Sequence, residues 1–129
     1  MKYLIDTAVL LWTIFNKMEK ISPETGKILA SPDHTIILSA VCTWEIAIKY
    51  SLGKLMLRTD PVELIEGLFL RHNLQRLPIT HEHTLATAKL PFHHKDPFDR
   101  LLIAQAKIEE LPIITPDGHF RLYGVDVIW

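Results

Sequence analysis

Short apolar runs punctuate the chain at Tyr3 to Ile5, Ile36 to Leu38, Leu77 to Ile79, Pro112 to Ile114 and Val125 to Ile128, the last interrupted by Asp126. Each is about strand length, and continuous apolarity, as opposed to alternation, suits strands covered on both faces. Four of the runs are followed by apolar residues at helical spacing, as in Ala8-Val9-Leu10-Leu11-Trp12 after the first. Helix starts are marked as well. Ser22-Pro23, Asp60-Pro61 and Asp96-Pro97 each place a capping side chain before a proline suited to the first helical position. Glu63 adds a capping-box-like acid three residues after Asp60. Strand alternating with helix implies right-handed crossovers and a parallel sheet. The pattern predicts one α/β domain over residues 1–129, a five-stranded parallel sheet sandwiched by helices.

Composition narrows the class. The chain has 129 residues, 48% of them hydrophobic and 22% charged, which excludes wholesale disorder. The single cysteine, Cys42, cannot form an internal disulfide and points to a reducing, cytoplasmic setting. The opening Met1-Lys2 reaches an aspartate by position 6 and fits no signal peptide. The longest nearly apolar run, Ala8 to Phe15, is far short of the roughly 20 residues of a membrane span. A net charge of -1 argues against non-specific binding of nucleic acid through a strongly basic surface. A phosphate-rich partner would have to be held by a local patch or by a metal.

In open parallel sheets, ligands bind outside the carboxyl ends of the strands. The residues leaving those ends are Asp6-Thr7, Ser39, Thr80, and Thr115 with Asp117. Asp6 has a plain structural reading as the N-cap of the helix that follows. Glu45 sits at the edge of a helical stripe of Val41, Trp44, Ile48 and Leu52, where a carboxylate needs a partner. Lys49, four residues on, could supply it for only about 0.2–0.5 kcal/mol, and a bound cation is the alternative. In Asp96-Pro97-Phe98-Asp99, Asp96 reads as a cap, while Asp99 starts a helix whose Leu102, Ile103 and Ala106 form a buried face. Asp117 precedes Gly118 and reads equally as a turn residue or a ligand. The predicted topology would bring these acids together. Two carboxylates about 4 Å apart repel by about 4 kcal/mol at an effective dielectric near 20. A hard divalent cation relieves that conflict, and all-carboxylate oxygens select Mg²⁺ or Mn²⁺. Such sites act on phosphate esters.

Several blocks carry a family resemblance: Leu4-Ile5-Asp6-Thr7, Trp44-Glu45-Ile46-Ala47-Ile48-Lys49, His94-Lys95-Asp96-Pro97-Phe98-Asp99-Arg100, and Thr115-Pro116-Asp117. Together the chain resembles the PIN domain, and within it the VapC-like ribonuclease toxins of type II toxin–antitoxin modules. The resemblance implies a Mg²⁺- or Mn²⁺-dependent endoribonuclease that hydrolyses RNA with metal-activated water. It also implies a homodimer and a small cognate antitoxin protein. Matched by motif, its catalytic and metal-binding acids fall on Asp6, Glu45, Asp99 and Asp117, with hydroxyls of Thr7, Ser39 and Thr115 supporting them. Relatives often have histidine where this chain has Ala8, and a basic residue where it has Pro116, a residue that could re-aim Asp117.

Lys49, Lys54, Lys95 and Arg100 flank the acids in sequence and are candidates for RNA phosphate contacts. The histidine pairs His81 with His83, and His93 with His94, lack the spacing of a helical zinc site and read as structural or solvent-exposed. Trp12, Trp44 and Trp129 lie in apolar runs and are expected in the core. A signalling receiver domain shares the length and sandwich but needs two adjacent acids after its first strand, where this chain has Asp6-Thr7. A catalytically silent PIN-like binding module is the remaining alternative.

Overall fold

The computed structural model describes Met1–Trp129. Five parallel strands run in the order β3-β2-β1-β4-β5. They are β1 (Lys2–Ile5), β2 (Thr35–Ser39), β3 (Leu74–Leu77), β4 (Ile113–Ile114) and β5 (Val127–Ile128). Six α-helices connect and cover them: α1 (Thr7–Ile14), α2 (Pro23–Ala30), α3 (Ala40–Ser51), α4 (Pro61–Arg71), α5 (His81–Ala86) and α6 (Pro97–Glu109). The order reverses between β1 and β4, because the chain leaves β1 toward β2 and later returns to β1's other side. That crevice is where an open parallel sheet offers a binding site.

All three proline-marked helix starts are used. Ser22 accepts from Thr25 N–H at 3.2 Å, Asp60 from Glu63 N–H at 3.0 Å, and Asp96 from Phe98 and Asp99 N–H at 2.8 and 3.2 Å. The strands are apolar throughout where they are covered twice: Leu4, Ile5, Ile37, Leu38, Ile113 and Ile114 are all buried. Against them packs α6, whose residues Arg100 to Ala106 are buried without interruption.

Three expectations are corrected. β3 lies three residues before the predicted Leu77 to Ile79, because Pro78 has no N–H to continue a ladder. It is also an edge strand, with Gln75 and Arg76 exposed, so its sequence lacks the full apolar run. In α3 the buried face is Val41, Cys42, Glu45 and Ile46, not the Trp44 stripe. Trp44 is 52% exposed and meets Phe98 edge-on, ring centres 5.1 Å apart, on the outside of the α3–α6 junction. Trp12 and Trp129 pack on each other at 5.9 Å and are only partly buried against the core. The helical face chosen by tertiary packing follows the small Cys42 and Ile46 at the sheet, and the indole is left at the rim.

Arg100 is also not where the sequence placed it. Its guanidinium is buried, stacks on Phe92 at 4.2 Å, and donates to the carbonyls of Pro91, Thr87 and Leu90 at 2.8, 3.0 and 3.2 Å. Its donors are spent on the loop before α6, which corrects the expected phosphate contact. A fork of donors reaching several carbonyls is a shape only arginine provides. Arg100→Lys and Arg100→Ala should therefore each lose roughly 3 kcal/mol in urea unfolding, since the buried Leu90 carbonyl is left unpaired and the loop contacts to Thr87 and Pro91 are lost. A surface phosphate contact would instead leave stability within about 0.5 kcal/mol of wild type.

Candidate active site

Asp6 leaves β1 at the switch point, and Thr115 leaves β4 beside it. Asp6 is both a cap and a buried acid: Oδ1 accepts Val9 N–H at 2.9 Å and Oδ2 accepts the Thr115 hydroxyl. Thr115 Oγ1 also accepts the main-chain N–H of Asp117 at 3.1 Å, so one hydroxyl ties two acids together. Asp117 caps the 3-10 segment Gly118–Tyr123, its Oδ1 taking His119 N–H and Nδ1 at 2.9 Å each. Asp99 stands in the first turn of α6, where Asp96 is the cap. Glu45 comes from the buried face of α3 and pairs with Lys49 Nζ at 2.6 Å.

These acids act on one another electrostatically. Burial raises the Asp6 pKa, with Glu45 and Asp117 adding repulsion, although bonds from Thr115 and Val9 oppose the rise. Burial also pushes Asp99 up to about 7, and Asp96, Glu45 and Asp6 push in the same direction while His94 opposes them. Asp117 goes the other way. Burial penalises its charge, but donors from His119 and His94 outweigh that and hold it below its ordinary value. The four acids named from the sequence thus share one electrostatic neighbourhood. Carboxylates kept together at such cost fit a hard divalent cation, which removes the repulsion and is preferred by all-oxygen ligands.

The tightest grouping differs from the quartet. His94, Asp99 and Asp117 place one ligand atom each within 4.8 Å of one another. His94 Nε2 lies 3.0 Å from Asp99 Oδ2 and 3.2 Å from Asp117 Oδ2. The sequence reading, which gave the histidine pairs a background role, missed it; the only signal was a histidine two residues before a capping aspartate. His83 is buried as expected of a structural residue, forming a capping box with Thr80.

The supporting hydroxyls divide. The Thr115 hydroxyl donates to the Asp6 carboxylate. Ser39 does not: it donates to Gln105 Oε1 and accepts Val41 N–H at 3.0 Å, which caps α3 and fixes the helix carrying Glu45. The Thr7 hydroxyl meets the Cys42 thiol, which burial holds protonated, pushed up to about 12. Cys42 points at the Ile5 carbonyl at 3.5 Å and is no nucleophile. Lys54 and Lys95 are exposed.

A family model for the PIN domain matches residues 3–125. The chain belongs to the PIN domain family. Among solved structures, this PIN domain is similar to VapBC2 from Rickettsia felis bound to a DNA fragment from their promoter, with TM-score 0.67 and 16% identity over 99% of this chain and 98% of that one. It is similar to VapBC-1 from nontypeable Haemophilus influenzae, with TM-score 0.65 and 19% identity over 99% and 97%. A member of the VapBC family of toxin-antitoxin systems from Mycobacterium tuberculosis, VapBC-5, gives TM-score 0.60 and 18% identity over 98% and 97%. No curated protein sequence matches the chain.

Asp99 gives a test that involves no substrate. Its folded-state carboxyl binds a proton more tightly than the unfolded one, so its contribution to stability falls as pH rises from about 4 to about 7 and is flat above. In EDTA, Asp99→Asn should remove that slope and melt higher than wild type at pH 8, by up to about 4 kcal/mol of equivalent stability. Melting curves from pH 5 to 8 check it. If Asp99 served only its helix start, the variant would lose about 0.3–1 kcal/mol instead.

Proposed function

We propose that this PIN domain is a Mg²⁺- or Mn²⁺-dependent endoribonuclease, the toxin of a type II toxin–antitoxin pair. The observation that carries the proposal is the convergence of Asp6, Glu45, Asp99 and Asp117 at the β1–β4 switch point, under mutual repulsion that a divalent cation relieves. PIN nucleases are generally divalent-metal dependent, which agrees with this donor set. Those four residues would hold the ion. Bound there, it supplies positive charge for a phosphodiester's oxygens and lowers the pKa of water.

The chain's own residues do the arranging. Thr115 and Val9 N–H fix both oxygens of Asp6, so its carboxylate cannot rotate away. Ser39 caps α3 and thereby sets the height of Glu45 at the sheet's edge. The pairing of Glu45 with Lys49 stands in for a cation; once Glu45 turns to one, the Lys49 ammonium becomes available to a phosphate. Lys54 and Lys95, both exposed, extend that reach along the backbone of a single strand. The fold is shared with a member of the VapBC family of toxin-antitoxin systems, which supports a small antitoxin partner for this chain; the proposed active form is a homodimer. The cytoplasm is its proposed place of action; no helix of the chain is long and apolar enough to cross a membrane.

Purified without a partner, the protein should cut single-stranded or looped RNA in Mg²⁺ or Mn²⁺ and stop in EDTA, read on denaturing gels. Asp6→Asn should lower the rate by at least about 100-fold, the scale on which a single preorganised charge contact acts. Mn²⁺ should also raise the wild-type melting temperature by mass action. Cleavage that persists in EDTA would contradict the metal-dependent mechanism, and folded, metal-binding protein that cuts no RNA would favour a silent binding module.

A further inference from the structure

His94 is held at every polar position it has. Its main-chain N–H donates to the Tyr123 hydroxyl at 2.8 Å, and its carbonyl accepts from Arg100 Nη1 at 3.4 Å. On the ring, Nδ1 accepts the main-chain N–H of Asp96 at 3.1 Å. A main-chain amide can only donate, so Nδ1 carries no proton and the neutral ring has its N–H on Nε2. That N–H bonds Asp117 Oδ2 at 3.2 Å, and Asp99 Oδ2 stands 3.0 Å from the same nitrogen as an electrostatic neighbour. The two acids reach this point from different elements, Asp99 from the first turn of α6 and Asp117 from the loop after β4. No other donor side chain reaches the Asp99 carboxylate.

We infer that His94 is a positioning residue whose Nε2, bonded to Asp117 and 3.0 Å from Asp99, holds the two carboxylates around one point for a cation. The inference rests on the cluster being a divalent-cation site. A lysine or arginine in this place would also bridge the acids, but its fixed charge would cancel the negative potential that draws the cation in. An imidazole N–H can orient a carboxylate without bringing a permanent charge. Such outer partners of metal-binding carboxylates typically change affinity by roughly 10–100-fold when removed. The loop from Pro91 to Asp96 is anchored by Arg100 and Tyr123, so the ring itself is left to do the bridging.

The competing role is purely local, with His94 shaping the turn into α6. His94→Asn separates the two. An asparagine Oδ1 accepts the N–H two residues on in an Asx turn, replacing the Nδ1 contact, but the shorter side chain cannot reach either carboxylate. In EDTA the variant should melt with wild type, while calorimetric titration with MnCl₂ should show affinity lower by roughly 10–100-fold. Nitrogen NMR on the wild-type protein needs no variant to fold: the Nε2–H tautomer should persist when Mg²⁺ is added. Loss of that proton, meaning that Nε2 is itself a ligand, overturns the inference. So does His94→Asn protein that binds Mn²⁺ as tightly as wild type, and in both cases the cation site itself stands. Wild-type protein that binds neither ion overturns the site and the inference together.

Discussion

Like charge gathered at one end of a parallel sheet is the constraint on which this molecule turns. The carboxyl ends of β1, β2 and β4 lie side by side because the strand order puts them there, and Asp6, Glu45 and Asp117 follow those ends by one, six and three residues. Folding therefore brings together acids that an unfolded chain keeps apart. Burial raises the protonation of Asp6 and Asp99, and their neighbours raise it further. A core built of Leu4, Ile5, Leu38, Ile103, Ile113 and Ile114 supplies the rigidity that holds the charges in place. The apolar interior and the acidic edge are two sides of one design.

The rest of the polar architecture answers that repulsion. Thr115 gives one hydrogen bond to Asp6 and takes one from Asp117 N–H; Lys49 offsets Glu45; His119 and His94 stabilise Asp117. None of these places a fixed charge between Asp6 and Asp99. The one guanidinium nearby in sequence, Arg100, is turned away to bind main-chain carbonyls, where it ties down the loop that bears His94. The negative potential is thus tempered without being abolished, as the proposed cation site requires.

Much of this was legible in the sequence because it depends on local rules. Capping aspartates before prolines mark α4 and α6, and buried strands show as unbroken apolar runs. Asp6 and Asp117 could be named from the strand exits, and Glu45 and Asp99 from helical spacing. What could not be read depends on packing. Trp44 looked like core because it sits in an apolar stretch, but α3 turns Cys42 and Ile46 to the sheet and leaves the indole at the rim. Arg100 looked like surface because arginine usually is, and only the path of residues 87 to 94 reveals its carbonyl partners. β3 was displaced because an edge strand need not be apolar. His94 was passed over since its meaning lies in two carboxylates, one of them 23 residues away.

Anomalous diffraction from crystals grown in Mn²⁺ tests the central claim most directly. The account predicts a manganese peak at the β1–β4 switch point among the carboxylates of Asp6, Glu45, Asp99 and Asp117, with Glu45 released from Lys49. A folded protein whose only manganese lies elsewhere on the surface, with Glu45 still paired to Lys49, would contradict it.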